Sequence, residues 1–273
     1  CIRDSFDPDE VIATLERERA TIFFGVPTML AYMLRSPRMA ASDLSHLRGI
    51  LYGAAPMPAS TAEALVAALP HVHIIQACGQ TEGGPGGILL THEEVMAKPH
   101  TSGRMAMPNT EVRVVDADGR DVGPGEVGEM IMRGETMMKG YWRNPEATAV
   151  TVVDGWVHTG DLTRVDEEGF LTVVDRLKDL IITGGRNVYS AEVENSLAGC
   201  PGVAELAIIG RPHPDYGESI VAVVAPMPGA TVSLEALRDY GEGRLSHYKL
   251  PHELVVREIP RNLSGKILKH RLR

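Results

Sequence analysis

Three short stretches carry side chains whose types and spacing could do chemistry. In GQTEGGPGG, Gly79 to Gly87, a hydroxyl (Thr81) and a carboxylate (Glu82) stand in a glycine-rich run that directly follows the apolar VHIIQACG. Glu82 could hold Mg²⁺ near phosphates. The same run reads equally well as a flexible loop that holds nothing, because a lone Gly-rich motif does not decide the matter. In GWVHTGDL, Asp161 follows a Thr-Gly turn. A carboxylate there can take two ribose hydroxyls or satisfy its own turn backbone. In PRNLSGKILK, Lys266 follows Ser-Gly. The G-x-x-x-x-G-K-[ST] spacing fails, so this is no P-loop, and taken alone the lysine reads as solvated. A fourth stretch, YGAAPMP from Tyr52 to Pro58, offers small residues that would let a flat ring approach the backbone, or form a plain tight turn.

The elements that must carry these stretches follow from periodicity. Up to about residue 103, helical patterns (DPDEVIATLERER, PTMLAYMLRSP, PASTAEALVAALP) alternate with apolar strands (ATIFFG, LRGILYG, VHIIQACG). That alternation predicts βαβ units and a parallel sheet, whose ligands bind beyond the C-terminal ends of the strands. GQTEGG and YGAAPMP both follow a strand. From about residue 104, strands separated by Asp-Gly and Pro-Gly turns predict an antiparallel, barrel-like subdomain over 104–177. From residue 178 a small α+β domain is expected: DLIIT, the helix SAEVENSLAG, the strands VAELAIIG and SIVAVVAP, the helix SLEALRDYGEGRL and the strand ELVVREI. The expected class is α/β, with 1–177 one large domain and 178–273 a second, smaller one. At the junction lies DRLKDLIITGGRNVYSAEVE, which opens with four charged residues in five and breaks at Gly184-Gly185. A few element-terminal residues of this kind can serve as a hinge.

Composition narrows the function. The chain has 273 residues, enough for about two domains at roughly 100–200 residues each. A net charge of −9 argues against a general nucleic-acid binder, although a basic cluster gathers between Arg261 and Arg273. Three widely spaced cysteines give neither a disulfide framework nor metal spacing, so a reducing, cytoplasmic setting is expected. No apolar run is long enough to span a membrane, and no signal peptide is visible. The start at Cys1, without Met, gives the expectation that the chain is the back part of something longer.

The stretches GVPTML, YGAAPMP, GQTEGG, GEVGEMIMRG, GYWRNPEAT, GWVHTGDL, DRLKDLIITGGRNVYSAEVE, HYKLP and PRNLSGKILK occur in this order. Together they resemble the adenylate-forming superfamily of acyl-CoA synthetases, adenylation domains and luciferases, over essentially the whole chain. The likeness is greatest to the fatty-acyl, aryl and hydroxycinnamoyl CoA ligases. It implies an enzyme that activates a carboxylic acid with ATP and Mg²⁺ to an acyl-adenylate, then passes the acyl group to coenzyme A.

The resemblance also implies roles for residues. Gly53, Ala54 and Ala55 would line the adenine, with Gln76, Ala77 and Cys78 completing the nucleotide site. Thr81 would hydrogen-bond a phosphate, Glu82 would hold Mg²⁺, and Asp161 would take the ribose hydroxyls with Arg176 nearby. Lys266 would bridge the carboxylate and the α-phosphate. Lys178 would be the pivot about which the small domain turns after adenylation. Gly184 and Gly185 would then flank the channel for the CoA thiol arm, and Phe24, Gly25, Val26 and Gly79 would line part of the acyl pocket.

Two departures stand out. The upstream phosphate loop of the type T-S-G-T-T-G-x-P-K is absent, so the chain is expected to be an inactive fragment on its own. Cys78 stands where the family usually has a tyrosine, and cysteine offers less stacking area to an adenine. Alternatives to the CoA ligase are a stand-alone enzyme that loads a carrier protein and a non-catalytic nucleotide-binding fragment. The partners implied are the carboxylic acid, ATP and CoA, with no nucleic acid.

Overall fold

The structure, a computed structural model, describes residues 6–54, 57–261 and 267–273. The chain divides by its contacts into two compact units: Cys1–Thr159 with Thr163–Val173, and Gly160–Leu162 with Val174–Arg273. No helix among the described residues is long and apolar enough to cross a membrane.

In the first unit, α1 (Pro8–Arg17) starts where Asp7 accepts from the Glu10 amide at 2.9 Å. Pro8, at the first helical position, has no N–H to leave unpaired. The helix buries Ile12 and Leu15. Strands β1 (Ile22–Gly25), β2 (Gly49–Gly53) and β3 (His73–Cys78) pair in parallel, as the alternating pattern predicts. The connections are α2 (Pro27–Arg35), a short α3 (Arg38–Ala41) that the sequence did not announce, and α4 (Ala59–Ala68). Leu30, Met33, Ile50, Tyr52, Leu65 and Ile74 form the core around them.

The sheet then continues antiparallel, through β4 (Ile88–Leu90) and β5 (Met105–Ala106). Strands of three and two residues are too short to declare a period. Between them α5 (His92–Ala97) carries a full capping box, Thr91 with Glu94.

A second sheet runs in the order β10 (Leu171–Arg176), β9 (Trp156–Val165), β7 (Val127–Gly134), β6 (Thr110–Val115). The short β8 (Val152–Val153) pairs with β9 after α6 (Pro145–Thr151). The β6–β7 pair is antiparallel as expected, but among the described residues the sheet does not close into a barrel.

The second unit is built on β11 (Ile181–Thr183), β12 (Arg186–Val188), β13 (Val203–His213), β14 (Gly217–Pro226) and β15 (Glu253–Val256), in the order β12-β11-β14-β13 with β15 beside β14. Its near-continuous apolar strands are buried on both faces, and side chains alternate between them. Leu206, Ile208, Ile220 and Ala222 face α7 (Ser190–Leu197) and α8 (Leu234–Gly241), which supply Val193, Leu197 and Leu237. Ala207, Ile209, Val221 and Val223 form a second core with Ile259, Ile267 and Leu272. The chain on both sides of residues 262–266 is thus anchored to this second face.

Candidate functional site

Register places the first group of predicted residues. Gly25 pairs with Tyr52, Tyr52 with Gln76, and Gly53 with Ala77. Phe24, Gly25, Val26, Gly53, Ala54, Gln76, Ala77, Cys78 and Gly79 therefore meet at the C-terminal edge of the three parallel strands, where open α/β sheets bind ligands. Ala55 lies outside the described residues. The strands meet closely: a Cβ on Gly53 would sit 2.3 Å from the Ala77 carbonyl oxygen. Ala54 adopts φ +67°, a left-handed conformation that turns the chain off the sheet. Beneath this edge Tyr52 is fully buried and donates to Gln76 Oε1 at 3.0 Å, and its burial raises the phenol to a pKa of about 12. Phe24 is exposed and Cys78 half-buried.

The glycine-rich run after β3 is folded back on itself. A Cβ on Gly79 would meet the Gly86 carbonyl oxygen at 2.5 Å, and one on Gly87 the Cys78 oxygen at 2.2 Å. The glycines here permit backbone to pack on backbone. Thr81–Gly83 make one 3₁₀ turn, with Thr81 exposed. The segment after β7 fastens that turn. Met138 N donates to the Glu82 carbonyl oxygen at 2.8 Å, Thr136 Oγ1 to the Gly83 oxygen at 3.2 Å, and the Tyr141 hydroxyl to Glu82 Oε1 at 2.6 Å. The last bond, made to an anion, raises the Tyr141 pKa and fixes one carboxylate oxygen. The other oxygen of Glu82 can take a further donor or a cation.

The second unit holds the remaining residues. Asp161 was expected after a Thr-Gly turn; it lies inside the ten-residue β9, where Gly160 at φ +68° interrupts the extended run. Its buried carboxylate meets the Arg176 guanidinium at 2.8 Å. Lys178 is exposed in a single 3₁₀ turn, Leu177–Asp179.

Gly184 and Gly185, at φ +55° and +72°, form the two-residue turn of the β11–β12 hairpin, with Thr183 paired to Arg186. Two positive φ values are what such a turn demands. The expected glycine break before the helix is therefore a hairpin whose second strand, three residues long, the sequence did not reveal. Gly184 opens on a cavity of ≈ 580 Å³, lined among others by Arg186, His213, Tyr216 and His252. Burial, with Arg238 and other imidazoles nearby, lowers the His252 pKa.

Lys266 lies outside the described residues, but its flanks are placed. Arg261 and Ile267 form an antiparallel bridge, and Leu268 N donates to the Pro260 oxygen at 2.8 Å.

The sequence reading missed a buried polar chain in this unit. Asp175 accepts from Ser190 N, from Ser190 Oγ at 2.8 Å and from Ala191 N at 3.4 Å, which caps α7. Lys269 donates to Ser190 Oγ at 2.6 Å and pairs with Glu194 at 2.7 Å. Glu194 also accepts from Ile208 N at 2.7 Å. Burial raises the Glu194 pKa, against the opposing pull of the Lys269 charge and the Ile208 N–H. Arg273 donates to the Lys178 carbonyl at 2.9 Å and to Asp179 at 2.7 Å. The available signal was the charge run of DRLKD facing the basic cluster past Lys266.

Two family models match most of the chain. The family model described as AMP-binding enzyme matches residues 1–142, and that described as AMP-binding enzyme C-terminal domain matches residues 192–266. The chain is 43% identical to a feruloyl-CoA synthase of an Amycolatopsis species over 275 residues, covering 100% of this chain and 55% of that protein. It is 38% identical to an indoleacetate–CoA ligase of Aromatoleum aromaticum, covering 100% and 53%. Among solved structures, the o-succinylbenzoate CoA synthetase of Bacillus subtilis in complex with its acyl-adenylate intermediate superposes with a TM-score of 0.84 at 33% identity, covering 98% of this chain and 54% of that one. The chain spans about half the length of the relatives it matches.

Proposed function

The chain belongs to the AMP-binding enzyme family, and from that premise we propose that the protein is an ATP-dependent carboxylic acid:CoA ligase acting on an aryl or fatty acid. The observation that carries the reading is the meeting of Gly25, Gly53–Ala54 and Gln76–Gly79 at one edge of the parallel sheet, beside a Glu82 whose carboxylate Tyr141 holds in place.

In the first half-reaction a carboxylate oxygen attacks the α-phosphorus of ATP, the α–β phosphoanhydride breaks, and pyrophosphate leaves. Gly53, Ala54 and Ala55, with Gln76, Ala77 and Cys78, line the adenine. Their small size admits the ring, and Cys78 gives up the stacking a tyrosine would supply. Asp161 takes the ribose hydroxyls, with Arg176 orienting its carboxylate. Thr81 donates to a phosphate. Lys266 places its ammonium between the two anions that must meet, the acid and the α-phosphate.

Glu82 fits Mg²⁺. That ion takes one or two carboxylates and fills its remaining positions with phosphate and water. Bound there, Mg²⁺ would neutralise phosphate charge.

In the second half-reaction the CoA sulfur attacks the acyl carbonyl, its proton is lost, and AMP leaves. For this step the part of the chain after Lys178 turns about that residue and presents Gly184–Gly185, whose bare backbone leaves room for the thiol arm. The cavity beside Gly184 supports that placement. Phe24, Gly25, Val26 and Gly79 contribute to the acid pocket. The names of the two relatives above, a feruloyl-CoA synthase and an indoleacetate–CoA ligase, favour an aryl acid.

The test is pyrophosphate release by the full-length protein across a panel of aryl and fatty acids, with and without CoA. Thioester formation with at least one acid is expected. Adenylate without thioester would move the assignment to a carrier-loading enzyme, and no pyrophosphate release with any acid would remove the reading.

A further inference from the structure

Resting on that reading, we propose that Asp175 is a positioning residue for adenylation, a latch that ties the segment carrying Lys266 to the strand carrying Arg176 and must let go before the thioester step.

The tie can be followed bond by bond. Asp161 holds Arg176 at 2.8 Å. The neighbour of Arg176, Asp175, directs Oδ1 to the Arg176 amide at 2.7 Å and Oδ2 to the first turn of α7, through Ser190 N, Ser190 Oγ and Ala191 N. Ser190 Oγ in turn accepts from Lys269 at 2.6 Å, and Lys269 is held by Glu194 at 2.7 Å. Lys269 lies three residues beyond Lys266. All of Asp175, Ser190 and Lys269 are buried or half-buried, where charge-assisted hydrogen bonds are strong and leaving one unmade is costly.

The position of Asp175 along the chain makes this tie conditional. It lies three residues before Lys178, whereas Ser190 and Lys269 lie after it. While the bonds are made, residues 174–177 group by their contacts with the unit that follows. A turn about Lys178 carries Ser190 and Lys269 away from the strand that bears Asp175, so it must break all three bonds to α7.

Arg273 serves the downstream side. It grips the Lys178 carbonyl and Asp179, so the peptide just past the pivot moves with the unit that follows.

The experiment uses the full-length protein with Asp175→Ala and Asp175→Asn, measuring the two half-reactions separately and hydrogen exchange at the Ser190 and Ala191 amides. Asp175→Ala is expected to slow adenylation by tenfold or more. It should leave thioester formation from preformed adenylate unchanged or faster, and raise exchange at both amides at least tenfold. Asp175→Asn, which keeps an acceptor oxygen, should fall between. A purely structural role would slow both half-reactions together, and that result, or amide exchange unchanged in Asp175→Ala, would overturn the proposal. Wild-type protein that forms no adenylate with any acid would instead remove the ligase reading, and the proposal with it; the wild-type control separates this failure from the others.

Discussion

The Tyr141 hydroxyl donates to Glu82 Oε1 at 2.6 Å, across 59 residues of sequence. A tyrosine in GYWRNP thereby orients the one carboxylate proposed to meet Mg²⁺. Tyr141→Phe removes the donor and frees the Glu82 rotamer while keeping the ring. The Mg²⁺ concentration for half-maximal adenylation should rise about three- to tenfold, in line with roughly 1 kcal/mol for one such bond. Titration of the variant with Mg²⁺ at saturating ATP checks this, and an unchanged midpoint would show that Tyr141 does not orient the carboxylate.

Gly53→Ala tests the close contact of β2 and β3. The added methyl would meet the Ala77 carbonyl oxygen at 2.3 Å, so the strands must part at the proposed adenine edge. We expect a loss of about 1–3 kcal/mol, the usual cost of overpacking, together with weakened ATP binding. Denaturant melts and nucleotide titration read the two effects separately.

Much of this architecture was legible in the sequence because its elements are long and periodic. The α1, α2 and α4 helices and the β1–β3 strands follow from apolar spacing, and β13 and β14 from near-continuous apolar runs buried on both faces. Short elements escaped, since two or three residues at β5 and β12 cannot declare a period. Glycines were read for the freedom they allow. At Gly184–Gly185 the hairpin turn itself requires them, and at Gly79 and Gly87 they let backbone pack on backbone. The Asp175–Ser190–Lys269 chain was not legible, because its members are far apart in sequence and each is ordinary by itself.

The hairpin turn can be separated from the proposed thiol channel. Asn-Gly suits a turn with two positive φ values as well as Gly-Gly does. Gly184→Asn should therefore leave stability within about 0.5 kcal/mol. The new side chain would stand where the thiol arm is proposed to pass, raising the KM for CoA and sparing adenylation. Equal effects on both half-reactions would place the thiol arm elsewhere.

Lys269→Met should uncover a pH dependence. Burial already raises the Glu194 pKa, and Lys269 supplies the strongest opposing pull, so its loss raises that pKa further. A carboxyl whose folded pKa exceeds its unfolded one stabilises the fold fully below the unfolded pKa, about 4.3, and loses that contribution as pH rises through the folded value. The deficit of the variant against wild type should thus grow from pH 4.5 to pH 7. At pH 7 it should reach about 2–4 kcal/mol, near the lower end for orphaning a buried charge because both side chains keep some exposure. Urea midpoints at the two pH values measure it. Lys269→Met with Glu194→Gln, which drops the charge but keeps an acceptor for the Ile208 N–H, should recover most of the loss at pH 7.

The most direct measurement is the pair of half-reactions in Lys266→Ala and Lys178→Pro of the full-length protein. An ammonium between carboxylate and phosphate acts only where those anions meet. Lys266→Ala should therefore cut adenylate formation by roughly 10²–10³-fold, the scale for one transition-state stabiliser, and spare thioester formation from preformed adenylate. Lys178 lies in a 3₁₀ turn, and proline there fixes φ and stiffens the pivot. Lys178→Pro should spare adenylation and slow the thioester step. That crossed pattern is the result the two-arrangement account predicts; equal damage to both half-reactions in either variant would contradict it.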